Sequence, residues 1–188
     1  MKKQRRTEIR FSGFGGQGII KSALIAGRAA AIYDKKEAVV TQSYGPEARG
    51  GACSGTVIVD NEPIDYPYVT APDILVVMSQ EAYTTYRPTL KKDGMMLIDE
   101  DLVKLDKNDK ALVYKIPATR FAEELGKKIV ANVVMLGFFT SITGVTKYDS
   151  MKKAVLESVP QRFREINEKG FEKGYNYGKE IMKGKKET

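Results

Sequence analysis

Along this chain the period of apolar and polar positions changes repeatedly, and each change marks an element. Glu8-Ile9-Arg10-Phe11 alternates and predicts a short strand. Ile19, Ile20, Ala23, Leu24, Ala26, Gly27, Ala30 and Ala31 then recur at helical spacing and predict a helix from Ile19 to about Tyr33. Its small residues would let it lie close on a sheet. Ala38 to Gln42 predicts a second strand, paired in parallel with the first through a right-handed crossover. Ala52 to Val59 reads as a third, with Cys53, Gly55, Val57 and Val59 alternating with Ser54, Thr56 and Ile58. Asp60-Asn61 turns the chain, and Glu62 to Tyr66 is expected to return as a short strand, making an inserted β-hairpin.

Asp73 to Ser79 has an unbroken apolar run, as strands do when both sheet faces are covered. Gln80 to Leu90 predicts a helix that Pro88 limits, and Met95 to Asp99 and Leu112 to Ile116 predict strands. Pro117-Ala118-Thr119 opens a helix through Leu125, which Gly126 ends. Beyond Ala131 the pattern is helical. Val133, Val134, Leu136, Phe138, Phe139 and Ile142 make one helix apolar almost all round, and therefore buried. Met151 to Val159 is short and amphipathic and ends at Pro160; Gln161 to Lys183 is long.

In that last helix Gly170, Gly174 and Gly178 recur every four residues on one face with Tyr175. Each glycine gives up about 1 kcal/mol of helix propensity against alanine. Their spacing predicts close approach by another backbone, from this chain or a partner, and marks Gly170, Gly174, Tyr175 and Gly178 as a candidate interface. The fold class is α/β: a three-layer sandwich with a mostly parallel sheet, an inserted β-hairpin and a helical C-terminal part. With no internal repeat or linker, residues 1–188 form a single domain, with 1–7 and 184–188 as flexible ends.

Composition narrows the chemistry. At 188 residues the chain is long enough for a substantial core. It has a single cysteine, Cys53, and no histidine. That excludes an intramolecular disulfide, Cys/His zinc sites, a cysteine-ligated iron–sulfur cluster, and histidine-based acid–base or nucleophilic catalysis. Of the net charge of +7, residues 1–6 carry +4 and residues 179–188 carry +2, leaving +1 between them. Basicity gathered in the two ends reads as solvated tails rather than a nucleic-acid footprint. No apolar run reaches the roughly 18–20 residues of a membrane span, and no apolar leader follows the basic start. A cytoplasmic protein with no membrane partner is expected.

Two loops carry the candidate chemistry. Gly13-Phe14-Gly15-Gly16-Gln17-Gly18 falls at a strand-to-helix turn, where backbone N–H groups and a helix N-terminus favour an anion. Gly13, Gly15 and Gly18 satisfy the G-x-G-x-x-G spacing of dinucleotide sites. The acidic residue that such sites carry on the second strand is missing, since that strand ends in Thr41-Gln42-Ser43. A phosphate or carboxylate ligand and a purely steric turn both remain open. The second loop, Ser43-Tyr44-Gly45-Pro46-Glu47-Ala48-Arg49-Gly50-Gly51, combines glycine and proline turns with an opposite-charge pair. Glu47 and Arg49 could handle a carboxylate or simply pin the loop. Ser79 and Gln80, after the buried strand, would add a third edge. All three are expected at one crevice at the carboxyl edge of the sheet. A binding crevice without a catalyst suggests a subunit; the alternative is a stand-alone nucleotide- or phosphate-binding module using Gly13–Gly18.

Arg10-Phe11-Ser12-Gly13-Phe14-Gly15-Gly16-Gln17-Gly18 resembles the opening motif of the gamma subunit of 2-oxoacid:ferredoxin oxidoreductases. Thr41 through Gly51 resembles its second motif, and Ala71-Pro72-Asp73-Ile74 to Ser79-Gln80-Glu81-Ala82-Tyr83 a third. Ile116-Pro117-Ala118-Thr119, with Ala131-Asn132 and Leu136-Gly137, resembles a fourth. The likeness runs from about Glu8 to the last helix, and Gln42-Ser43-Tyr44-Gly45-Pro46-Glu47 is nearest to the 2-oxoglutarate branch. It implies a complex that oxidatively decarboxylates a 2-oxoacid to an acyl-coenzyme A and passes electrons to ferredoxin. It implies no cofactor on this chain. Thiamine diphosphate would sit on alpha- and beta-type subunits, iron–sulfur clusters on a ferredoxin-like subunit, and coenzyme A would be a substrate. The two loops would form part of the substrate or coenzyme A side of the junction with the thiamine-bearing subunits. An isolated chain could self-associate through surface meant for those partners.

Overall fold

The computed structural model describes residues 6–42 and 52–184. The second loop, Ser43 through Gly51, lies outside them.

Six strands form one sheet: β1 (Thr7–Phe14), β2 (Glu37–Gln42), β3 (Ala52–Asp60), β4 (Ile74–Val77), β5 (Met95–Asp99) and β6 (Leu112–Ile116), in the order β2-β3-β1-β4-β5-β6. β1, β4, β5 and β6 are parallel neighbours, with Phe11 beside Val76, Val76 beside Leu97 and Leu97 beside Tyr114. Side chains along a strand alternate faces, which splits the core in two. Ile9, Phe11, Val57, Ile74, Val76 and Leu97 point into the larger half. There α1 (Ile19–Arg28, continued by a π-helical turn over Ala29–Tyr33), α3 (Ala118–Glu124), α4 (Ala131–Thr143), α5 (Tyr148–Glu157) and α6 (Arg164–Gly184) cover the sheet. Leu75, Val77, Met96 and Ile98 point to the smaller half under α2 (Gln80–Tyr86).

The pairing of β1 differs from expectation. β2 runs in the same direction as β1 but does not touch it; β3 lies between them, antiparallel to both. The inserted hairpin is therefore β2–β3, not β3 with a return strand. Adjacent strands sit about 4.8 Å apart, so β3 fills a one-strand gap beneath α1 and supplies hydrogen bonds to both flanks. Gly55 makes this possible, since a Cβ there would stand 2.8 Å from the Ala23 Cβ of α1. With both edges of β3 taken, no edge remains for Glu62 to Tyr66, and Pro63 and Pro67 remove two donors. That stretch forms no strand. Its end is held by a side chain instead, as Arg6 donates to the Tyr66 carbonyl, and Arg10 holds the Val69 carbonyl just beyond it.

The glycines of α6 meet α4. A Cβ on Gly174 would lie 1.9 Å from the Val134 carbonyl oxygen, and one on Gly137 of α4 would lie 2.0 Å from the Phe171 oxygen. Gly170 and Gly178 press on Val130 and on the Ser141 hydroxyl. Tyr175 packs on Tyr148 with ring centroids 4.5 Å apart. The close approach is thus made within this chain, one of the two alternatives that the spacing left open, and α4 occupies the surface that Gly170, Gly174 and Gly178 present. Three glycines exchange helix propensity for close packing between the two helices, backbone against backbone at Gly174, and α4 is buried nearly all round.

Candidate functional site

The glycine turn stands at the carboxyl edge, between β1 and α1. Gly13 is the last residue but one of β1, and a Cβ there would meet Gln17 Oε1 at 2.5 Å and Ile19 Cδ1 at 2.6 Å. Gly16 and Gly18 have φ of +94° and +76°, a region that L side chains avoid. Gly18 is also the residue before α1, and a Cβ on it would lie 2.4 Å from Asn132 Nδ2. Phe14, Gly15 and Gly16 face solvent. The turn is fixed by Gln17. Its Oε1 accepts from the Phe14 N–H at 2.6 Å, and its Nε2 donates to the Met78 carbonyl at 2.8 Å. Ser12 reinforces the same seam, donating to the Val76 carbonyl while its own carbonyl accepts from Met78 N.

This seam opens into a crevice of about 330 Å³ walled by Gly16, Gln17, Met78, Thr119, Ile129 and Ala131, with Lys128 at its edge. The first turn of α1 has neither a side-chain cap nor an acidic residue. Lys128 reaches Glu123 at 3.3 Å but stays mostly exposed. Thr119 is positioned from below. The fully buried Asp99, at the end of β5, accepts from Thr119 N at 3.0 Å and from its hydroxyl at 2.6 Å. Burial pushes the Asp99 carboxyl up from its ordinary value, and the two Thr119 hydrogen bonds oppose that.

Gly16 and Gln17 therefore line the crevice. Gly13 packs against Gln17, Gly18 borders the neighbouring concavity against Asn132, and Gly15 sits on the exposed tip. Ser79 and Gln80 do not line it. Ser79 is buried, and its hydroxyl caps α2 by accepting from Ala82 N. Gln80 clasps the backbone of Lys104, accepting at 2.7 Å and donating at 3.2 Å. Met78 is what β4 contributes. The second loop leaves the described residues at Gln42 and re-enters at Ala52, which pairs with Phe14 beside the glycine turn. Sequence reasoning did not single out Thr119, Lys128, Ile129 and Ala131 as site residues, although the fourth resemblance motif contained Thr119, Ala131 and Asn132.

The strand order also bears on the dinucleotide reading. The strand next to β1 on the α1 side is the antiparallel β3, so the end of β2 stands two positions away. A βαβ dinucleotide site needs that strand as the parallel neighbour.

Comparison with known proteins extends the picture. A family model described as pyruvate ferredoxin/flavodoxin oxidoreductase matches residues 8–177. The chain is 55% identical over 187 residues to the 2-oxoglutarate synthase subunit KorC of Methanocaldococcus jannaschii, a match covering 96% of this chain and 100% of that one. The subunit of the same name from Methanothermobacter marburgensis is 45% identical over 188 residues, with the same coverage of 96% and 100%. Among solved structures, the gamma subunit of a keto/oxoacid ferredoxin oxidoreductase from Geobacter sulfurreducens superposes with a TM-score of 0.84 at 42% identity, over 92% of this chain and 95% of that one.

Proposed function

The chain belongs to the pyruvate ferredoxin/flavodoxin oxidoreductase family, and on that premise we propose that it is the gamma-type subunit of an oxidoreductase that converts 2-oxoglutarate to an acyl-coenzyme A. One observation carries the reading: the alignments with 2-oxoglutarate synthase subunits span almost all of this chain and the whole of each relative. The match therefore extends over the whole length of a 2-oxoglutarate synthase subunit.

The residues present assign this chain a non-redox part. A cysteine-bound cluster needs four thiolates, and the chain has one cysteine and no histidine. The clusters that carry electrons to ferredoxin would then belong to partner subunits, and the family reading puts the thiamine diphosphate that stabilises the carbanion left by decarboxylation there as well. The crevice beside Gly16 and Gln17 is read as part of the substrate or coenzyme A side of the junction with those subunits. An uncapped helix N-terminus and the Lys128 ammonium suit a carboxylate or phosphate. Arg49 and Glu47 of the second loop, whose flanking strands end at this edge, would complete it. No described helix is long and apolar enough to cross a membrane, and a cytoplasmic complex is the reading that goes with these roles.

The test is reconstitution of the complex with and without this chain, assayed with 2-oxoglutarate, pyruvate and branched 2-oxoacids. Loss of 2-oxoglutarate oxidation on omitting the chain supports the reading, and a preference for pyruvate overturns the substrate. Unchanged assembly and Michaelis constants after substitution of Gly16 or Arg49 overturn the role given to the loops.

A further inference from the structure

A second concavity, of about 340 Å³, lies beside the crevice, bounded by α1, the segment leading into α4, and the α5–α6 junction. Ile25, Val133, Val159, Phe163 and Ile166 make its walls largely apolar. Two large apolar side chains stand open at its lip, Ile129 at 66% exposure and Phe163 at 36%. Lone exposed apolar residues are ordinary, but a contiguous apolar hollow with an open lip marks an interaction site.

The rim is charged in one sense. Lys21 and Lys127 border the hollow, and the Arg162 guanidinium lies over the Phe163 ring, 4.8 Å from its centroid. Among the described residues, none of these three has an ion-pair partner. Three carboxylates on the neighbouring elements are already paired with other cations: Glu123 with Lys128, Glu157 with Arg28, and Glu165 with Lys169. Three uncompensated cations thus ring an apolar hollow sized for a large side chain rather than a folded domain.

We propose that this hollow is the docking site for an amphipathic segment of a partner subunit, one that presents an apolar anchor flanked by carboxylates. The proposal rests on the reading of the chain as one subunit of a complex. Charge complementarity selects the occupant, because the anchor fills the apolar hollow while its carboxylates meet Lys21, Lys127 and Arg162. The position also matters: Ile129 lines both the hollow and the crevice, and Gly18, which precedes α1, borders the hollow. An occupant would press on the wall of the candidate site.

The experiment co-expresses the full-length tagged chain with the other subunits of its own complex and measures their recovery. Variants are Ile129→Asp, the double reversal Lys21→Glu/Lys127→Glu, and Lys92→Glu as a control far from the hollow. The expected result is at least a tenfold loss of partner recovery for the first two at unchanged melting temperature, and none for the control. A photo-crosslinker at position 129 is expected to join a partner-subunit segment with acidic residues beside an apolar one. Undiminished recovery with both variants overturns the docking site alone, as do crosslinks to a second copy of this chain or to a basic segment. A wild-type chain that recovers no partner overturns the subunit reading and the docking site together.

Discussion

Gln17 Nε2 donates to the Met78 carbonyl at 2.8 Å, joining residues 61 positions apart. The glycine turn is therefore held from within: the residue between Gly16 and Gly18 ties the end of β1 to the end of β4. Its Oε1 simultaneously holds the Phe14 N–H. Gln17→Ala removes both bonds at a partly solvated site, for a loss of about 1–2 kcal/mol. The variant should fold, with a modestly lower melting temperature. In the assembled complex its Michaelis constant for the oxoacid or coenzyme A should rise more than its turnover falls, as steady-state kinetics would read.

Gly16 and Gly18 should differ on substitution. Gly16→Ala has open space around the new Cβ but a φ of +94°, so only backbone strain of about 1 kcal/mol is expected. Gly18→Ala adds a collision with Asn132 Nδ2 at 2.4 Å, and should lose clearly more in urea denaturation. Asn132→Ala should recover part of that loss, because the Asn132 Cβ lies at 3.7 Å.

The α4–α6 contact predicts a sharper contrast. In Gly174→Ala the new methyl meets the Val134 backbone, which cannot step aside; about 3 kcal/mol or more should be lost. In Gly178→Ala the colliding atom is the Ser141 hydroxyl at 2.0 Å, while the Ser141 Cβ lies at 3.3 Å. Adding Ser141→Ala should therefore rescue Gly178→Ala and not Gly174→Ala, in a comparison of melting temperatures.

Two carboxylates should shape the pH dependence of stability in opposite senses. The Arg87 guanidinium grips Asp109 through two hydrogen bonds of 2.7 and 2.5 Å, and Tyr83 adds a third, holding its carboxyl far below the usual range. A depressed folded pKa contributes stability that is present above the unfolded value, about 3.9, and lost as pH falls below it. Asp109→Asn should flatten that acid limb and lose about 2 kcal/mol at neutral pH. Asp99 is raised by burial. Its contribution should decline as pH climbs from the unfolded value through the folded one. Asp99→Asn keeps an acceptor for Thr119 N and should remove that decline. Urea unfolding between about pH 3 and 8 separates the two.

The amino-acid sequence by itself determined the elements and much of the chemistry. The period of apolar positions located β5 and β6 at their observed bounds, and the continuous run at Ile74–Val77 marked a strand covered on both faces. One cysteine and no histidine set limits that no fold could change. These are local or compositional properties, readable without knowing what lies across the sheet. Only the tertiary structure decided which elements meet. β3 entered between β1 and β2 because α1 spans a gap one strand wide, and nothing within the Ala52–Asp60 stretch encodes that position. The glycines of α6 announced a close contact, but whether the other backbone was α4 or a separate chain depended on the path of the 39 intervening residues between Val134 and Gly174. The contacts of Ser79 and Gln80 were decided in the same way. Their partners, Ala82 N and the Lys104 backbone, are capping and clasping groups that proximity to the crevice in sequence does not reveal. Spacing along a chain fixes what a residue can bond to; packing fixes which of those bonds forms, since each buried donor or acceptor is committed to whichever partner the fold brings within reach.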